Sequence, residues 1–137
     1  IIRRAWVPKR IDIDSWATEW VKRSDGLSST QADAKRKEMR ESPHAATLPA
    51  FEQFVADRIG RLWVRESRVA DYLPQGSATA TPTLWSVFSR DGKWLGDVAM
   101  PARFLPTDIG SDYVLGVARD DDGVETVAMH GLSISGH

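Results

Sequence analysis

Apolar side chains in the first part of the chain follow helical spacing. They recur at i, i+3, i+4, i+7 and i+8, at Ile13, Trp16, Ala17, Trp20 and Val21. This spacing places them on one face of a helix that begins after a capping Asp12 or Asp14, because a carboxylate accepts the free N–H groups of a first turn. We expect Trp16 and Trp20 to be buried, since so short a helix needs packing to be stable in water.

A second helix is predicted over residues 31–41, with its cap among residues 28–30 and its end at Pro43. This helix is polar along most of its length, so we expect it to lie exposed. It carries a basic cluster, Lys35, Arg36, Lys37 and Arg40. Charge runs of this kind are usually solvated surfaces, and we interpret the cluster in that way.

From residue 50 onward the pattern changes to short β-prone segments. The predicted strands cover residues 51–57, 61–67, 84–90, 94–100, 104–109, 112–119 and 124–132. Asp91-Gly92 and Asp122-Gly123 lie between such segments, which is typical of tight hairpin turns. Residues 1–7 are also predicted to form a strand, whereas residues 68–82 lack periodicity and read as a long surface loop.

Two sequence segments in the β region indicate a meander sheet of the kind that forms a propeller blade. They are FVADRIGRLWVRES at residues 54–67 and LWSVFSRDGKWLGDVAMP at residues 84–101. Together with DYVLGV at residues 112–117, they resemble the C-terminal part of a bacterial six-bladed β-propeller family of the NHL and TolB-like kind. The resemblance extends from Pro49 to about Leu132. It implies antiparallel meander blades and carries no catalytic motif.

The resemblance implies a mostly β fold of about two propeller blades with an N-terminal two-helix insertion. Residues 1–7 would be the outer strand of a preceding blade and residues 8–49 the helical insertion. Residues 50–100 would form a four-stranded blade, and residues 101–137 an incomplete three-stranded blade. In this arrangement the two long insertions, residues 8–49 and 68–83, lie on the same face of the propeller. We call it the decorated face.

Composition excludes several classes of protein. Lys and Arg total 18 and Asp and Glu 19, a near-balance that argues against nucleic-acid binding. The chain has no cysteine, which excludes disulfides, thiolate metal sites and a cysteine nucleophile. No apolar run approaches the roughly 20 residues that span a bilayer, so no membrane span is predicted.

Five residues near the predicted decorated face are weak candidates for ligand binding: His44, Arg65, Glu66, Arg68 and Tyr72. Arginine binds carboxylate or phosphate with two hydrogen bonds, although surface ion pairs are the simpler interpretation of Arg65 and Glu66. An ordinary loop histidine is the simpler interpretation of His44, and a strand residue with a satisfied hydrogen bond is the simpler interpretation of His130. The strand tryptophans Trp63, Trp85 and Trp94 could stack on sugars, but packing between blades explains them more simply.

Residues 120–123 could be an oxygen-rich calcium loop, but Asp122-Gly123 is explained by a hairpin turn. We found no catalytic residues, no spacing that would predict a metal site and no cofactor motif.

The leading functional interpretation is a non-enzymatic binding module that engages a protein or a small molecule. The alternative is part of a propeller hydrolase or lactonase whose site is completed by other blades or copies. Self-association, or pairing with missing blades, is expected in either case, because a unit of about two blades leaves open sheet flanks and an unpaired sheet edge after residues 124–132. The family resemblance implies a periplasmic or extracellular location, although the sequence shows no signal-peptide pattern.

Overall fold

A computed structural model describes residue 5, residues 7–73 and residues 81–133, which fall into two compact units. The helical unit comprises residues 7–50 and 67–73, and the sheet unit comprises residues 51–66 and 81–133. Most of the strand predicted at residues 1–7 lies outside the described residues. Of the predicted loop at 68–82, residues 68–73 group with the helices and residues 81–82 with the sheets.

Both predicted helices form close to the positions that their caps indicated. Helix α1 covers Ile13–Arg23, and the side chain of Asp12 caps it by accepting from the Ser15 amide at 3.2 Å. Helix α2 covers Ser29–Glu41 and begins with a capping box, in which Ser28 and Gln31 each bond the backbone N–H of the other. The structure therefore selects Asp12 over Asp14 and Ser28 over the other predicted caps.

The two helices pack through small and aliphatic side chains. The buried residues are Ala17 and Val21 on α1 and Ala32 and Met39 on α2. Trp16 and Trp20 are only half-buried, so our prediction that both are core residues is too strong. None of the described helices is long and apolar enough to cross a membrane.

The basic cluster of α2 is matched by acidic side chains one turn away. Its ion pairs on the helix are Lys35 with Glu38, Arg36 with Asp33 and Lys37 with Glu41, and Arg40 pairs with Asp14 of α1. Lys35 also lies over the Trp20 ring, with 5.6 Å between its ammonium nitrogen and the ring centroid. These positive charges are locally paired, as expected of a solvated helix face.

The described strands form two antiparallel sheets in sequence order. The first contains β1 (Phe51–Ala56), β2 (Leu62–Glu66), β3 (Thr83–Phe88) and β4 (Trp94–Met100). The second contains β5 (Phe104–Ile109), β6 (Tyr113–Arg119) and β7 (Glu125–Gly131). A mostly β fold with two helices and meander sheets is confirmed, and the two sheets are not closed into a barrel or a ring.

Both predicted Asp-Gly turns are present. Gly92 and Gly123 have φ angles of 83° and 81°, a region that glycine occupies without a steric penalty. In the second turn, one carboxylate oxygen of Asp120 accepts from the amides of Asp122 and Val124, at 3.0 and 2.8 Å. The acidic run at 120–122 thus forms the connection between β6 and β7.

The core of the sheet unit lies between the two sheets. Its buried members are Trp63, Trp85, Val87, Met100, Phe104, Ile109 and Val114. The strands approach so closely at Gly116 that an added Cβ would lie 2.2 Å from the carbonyl oxygen of Leu105. His130, on β7, places its ring edge-on against Phe104, with 4.8 Å between the centroids.

Exposed apolar side chains lie on the outward faces of both sheets, although Val64 and Ser86 on the outward face of the first sheet are buried. Because side chains alternate across a strand, Leu105, Val117 and Val127 share one row on the face of the second sheet that points away from the core. Val127 is 79% exposed, and Met129 on the same face is also exposed. On the first sheet, Phe54 is 66% exposed.

Candidate functional site

A short antiparallel ribbon forms the base of a groove in the helical unit. Arg10 pairs with Thr47 as an isolated bridge. Two backbone hydrogen bonds flank the pair, from the Ile11 amide to the Ala46 carbonyl at 3.0 Å and from the Leu48 amide to the Lys9 carbonyl at 2.9 Å. The ribbon leads directly into the capped start of α1, so its position is fixed relative to that helix.

The opposite wall of the groove is a single 3-10 turn at Val69–Tyr72. Asp71 holds this turn by accepting from the Arg68 amide at 3.0 Å and from the Arg68 guanidinium at 2.9 Å. The ammonium group of Lys9 donates to the Ser67 carbonyl at 3.2 Å and ties the turn to the ribbon. This hydrogen bond connects the start of the loop to the helical insertion.

The groove between these elements has a volume of about 180 Å³ and an almost wholly apolar surface. Its lining residues are Ile11, Ile13, Trp16, His44, Ala45, Thr47, Leu48, Pro49, Val69 and Tyr72. They come from the ribbon, the start of α1, the segment after α2 and the 3-10 turn. A concave apolar surface with a few polar groups is the usual form of a ligand site.

Two of the five predicted ligand-binding residues, His44 and Tyr72, lie together in this groove. The Nδ1 atom of His44 is 3.0 Å from the Ser42 carbonyl oxygen. A carbonyl only accepts, so Nδ1 carries the proton in this bond, and Nε2 of the neutral ring is an acceptor. His44 can therefore accept a hydrogen bond from a ligand while its ring is held by the backbone.

The other three predicted residues are placed differently. Arg68 positions the 3-10 turn but is not among the lining residues of the groove. Arg65 and Glu66 lie on β2 in the sheet unit. The Arg65 guanidinium is 3.8 Å from the Glu52 carboxylate, and the Glu66 carboxylate is 3.5 Å from the Ser86 hydroxyl. The five residues thus do not form one site.

The apolar lining of the groove was not predicted as a site. The sequence pattern predicts that Ile13 and Trp16 lie on the apolar face of α1 and that Val69 lies in an irregular loop. Two features of the sequence could have indicated the groove. They are the apolar residues at the start of α1 and the apolar Leu48-Pro49 pair beyond the end of α2. Only the pairing of the ribbon brings these segments together.

Both carboxylate oxygens of the buried Asp57 accept hydrogen bonds within the sheet unit. One of its oxygens accepts from the amides of Ile59 and Arg61, at 3.1 and 2.7 Å. The other accepts from the Trp63 indole N–H at 3.0 Å and from the Arg61 guanidinium. Burial acts to raise the pKa of Asp57, but the hydrogen bonds from Trp63 and Arg61 outweigh it and lower that pKa.

A second, exposed cluster joins the two sheets. The guanidinium of Arg58 donates to Asp108 at 3.0 Å, and the Tyr113 hydroxyl donates to the same carboxylate at 2.8 Å. The hydrogen bond from Arg58 lowers the pKa of Asp108, and donation to Asp108 raises the pKa of Tyr113. Across residues 7–73 and 81–133, no three His, Asp or Glu side chains are grouped so that they could hold a metal ion.

Comparison of the chain with protein-family models, with curated proteins and with solved structures gives no match. The functional argument therefore depends on the groove itself.

Proposed function

We propose that this chain is a binding module whose helical unit receives an apolar group of a ligand in the groove. The observation that carries the proposal is the concave apolar surface of about 180 Å³. Water gains few hydrogen bonds in such a space, so an apolar group that displaces it is stabilised. An apolar cavity of about 150 Å³ in another protein holds benzene, so this groove is of the size that accepts one aromatic ring.

The polar groups of the groove would orient that ligand. With Nδ1 donating to Ser42, Nε2 of a neutral His44 ring would accept a hydrogen bond from the ligand. Tyr72 adds an aromatic face with a polar tip, and its side chain is 40% exposed. A few polar groups around an apolar surface give direction to binding, whereas apolar burial supplies most of its free energy.

A ring built into the groove should block binding. Ala45 lines the groove, so in Ala45→Phe the new ring should occupy the space of the ligand. We expect the neutral probe 3-phenylpropionamide to shift the indole N–H signal of Trp16 in NMR spectra of the wild-type chain. We expect Ala45→Phe to weaken this binding at least about tenfold, which corresponds to about 1.4 kcal/mol.

Ala46→Phe is the matched control, because Ala46 is the neighbouring exposed alanine and does not line the groove. It adds the same ring one residue away and should leave the affinity of the probe unchanged. If the probe fails to bind the wild-type chain, or binds both variants equally well, the groove is not the ligand site.

We also propose that the two sheets are blades of a β-propeller. The support is their meander order, the hydrophobic core that both sheets share and the family resemblance of residues 49–132. The exposed apolar row of Leu105, Val117 and Val127 on the second sheet fits a further sheet of the same kind. In the isolated chain, the available partner for this row is a second copy.

Replacing Val127 with lysine should therefore reduce self-association. We expect the wild-type chain to form oligomers at high micromolar concentration, with the outer face of the second sheet covered. A lysine at this exposed position would place a charge in that contact without disturbing the folded monomer. Sedimentation velocity on both proteins tests this, with Thr126→Lys as a control on the opposite face of β7. A wild-type chain that stays monomeric would contradict the expectation.

A further inference from the structure

Strand β7 forms an edge of the second sheet. It pairs with β6 on one side, and none of the described strands pairs with it on the other. At the two ends of this ladder the Leu132 amide donates to the Asp112 carbonyl at 2.7 Å, and the Val124 carbonyl accepts from the Asp120 amide at 3.1 Å. Even-numbered residues of β7 therefore bond to β6, and the backbone N–H and C=O groups of the odd-numbered residues point away from it.

Strand β7 lacks the features that protect the other described sheet edges. The ladders at β1 and β4 contain register shifts, and so does the ladder at β5, which also contains Pro106. In contrast, β7 pairs with β6 over its seven residues without a shift. It has no lysine or proline, and Val127 and Met129 are 79% and 69% exposed. A regular, apolar and exposed edge of this kind is a site for pairing with another strand.

The strand is complementary to a second copy of itself. An antiparallel two-fold pairing that uses the whole strand, Glu125–Gly131, is centred on Ala128. This register places Val127 opposite Met129 of the second copy, and Glu125 opposite a glycine, so no two carboxylates face each other. The apolar pairs lie on the outward face, so the apolar row of the second sheet continues from one copy into the other.

We infer that two copies of this chain pair through the edges of β7, which joins their second sheets into one antiparallel sheet. This inference deepens the proposed self-association, because it assigns the contact to a strand edge rather than to the outer face. Each odd-numbered residue of β7 would exchange two backbone hydrogen bonds with the residue opposite. Ala128 would face Ala128 of the second copy in a pair without hydrogen bonds, where the Cα atoms are about 4.5 Å apart.

A single cysteine reports this register, because the chain contains no other cysteine. A disulfide needs Cα atoms about 4.4–6.8 Å apart, so Ala128→Cys should form an intermolecular disulfide under mild oxidation. Thr126→Cys is the matched control, because the two copies of Thr126 would lie about 13 Å apart along the paired strands. Non-reducing electrophoresis should show at least about tenfold more cross-linked dimer for Ala128→Cys than for the control.

Hydrogen exchange on the wild-type chain tests the same pairing without a substitution. The amides of Val127 and Met129 point to the free edge, so they should exchange at least about fivefold more slowly at high than at low micromolar concentration. The amides of Thr126 and Ala128 point toward β6 in the monomer and in the dimer. They are the internal control, and their exchange should change less.

The outcomes distinguish the edge from the outer face. If oligomers form while Ala128→Cys gives no cross-link and the Val127 and Met129 amides exchange freely, the inference is wrong and the proposed self-association stands. Slowed exchange without the cross-link would mean that another segment occupies the edge, which also overturns the inference. Equal cross-linking of the two cysteine variants would reflect random collision, with the same consequence. A wild-type chain that stays monomeric contradicts both proposals.

Discussion

Replacing Trp63 with alanine should lower the free energy of unfolding by about 3–5 kcal/mol. Trp63 is 0% exposed and packs in the core between the two sheets. Its truncation would leave a large cavity and would also remove the indole N–H that donates to Asp57. Urea unfolding followed by circular dichroism would measure the loss, if necessary at low temperature so that the variant remains folded.

Trp94→Ala is the matched control for this prediction. Trp94 is also a strand tryptophan, but it is 55% exposed and its indole N–H donates to the nearby Asp97 at 3.2 Å. We expect a loss below about 1 kcal/mol, because little apolar surface is withdrawn from water at this position. Equal losses for the two variants would show that the core is not where the structure places it.

Trp63 and Trp94 also show how far the sequence pattern predicts the burial of strand tryptophans. All three strand tryptophans were predicted to pack between blades, and Trp63 and Trp85 are indeed buried in the core. A β-bulge between Val87 and Phe88 pairs Phe88 with Trp94 and leaves Leu95 as an extra residue. A bulge reverses the alternation of side chains from that point, and neither strand sequence indicates where it occurs.

Helix and turn positions were predictable because their determinants are local. A capping carboxylate, a Ser with Gln three residues later and an Asp-Gly pair each act within four residues of chain. Asp12, Ser28 and Gly92 accordingly lie where the pattern placed their elements. Burial of Trp16 and Trp20 depends instead on what covers α1, which its own sequence does not contain.

The groove was not predictable because its parts are far apart in sequence. Ile11, Leu48 and Val69 meet only after the ribbon has paired and Asp71 has fixed the 3-10 turn. The sequence identifies His44 and Tyr72 as candidates by their chemistry, and both line the groove. Arg65 and Glu66 are candidates on the same basis, but they lie in the other unit, because the strand that carries them ends before the loop begins.

Replacing Asp57 with asparagine should lower the free energy of unfolding by about 3 kcal/mol at pH 7. The side chain of Asp57 is 0% exposed and that of Arg61 only 11%, so the variant leaves a nearly buried guanidinium without its carboxylate. The NH₂ group of an asparagine would also face hydrogen-bond donors in either orientation. These donors are the Arg61 and Trp63 side chains in one orientation and the Ile59 and Arg61 backbone amides in the other. Urea unfolding at pH 7 measures the loss, and Asp91→Asn, in an exposed turn, should change stability little.

Acid should erase the difference between wild type and Asp57→Asn. The pKa of Asp57 is lowered in the folded chain from its ordinary value of 3.8, so the carboxylate stabilises the fold fully at any pH above that value. As the pH falls below 3.8 and through the folded pKa, the carboxylate takes up a proton and this stabilisation is lost. Unfolding curves at pH 7 and 5 should therefore show the same difference between the two proteins, and curves below pH 3.8 a progressively smaller one. A difference that stays constant into strong acid would mean that the charge of Asp57 does not contribute to stability.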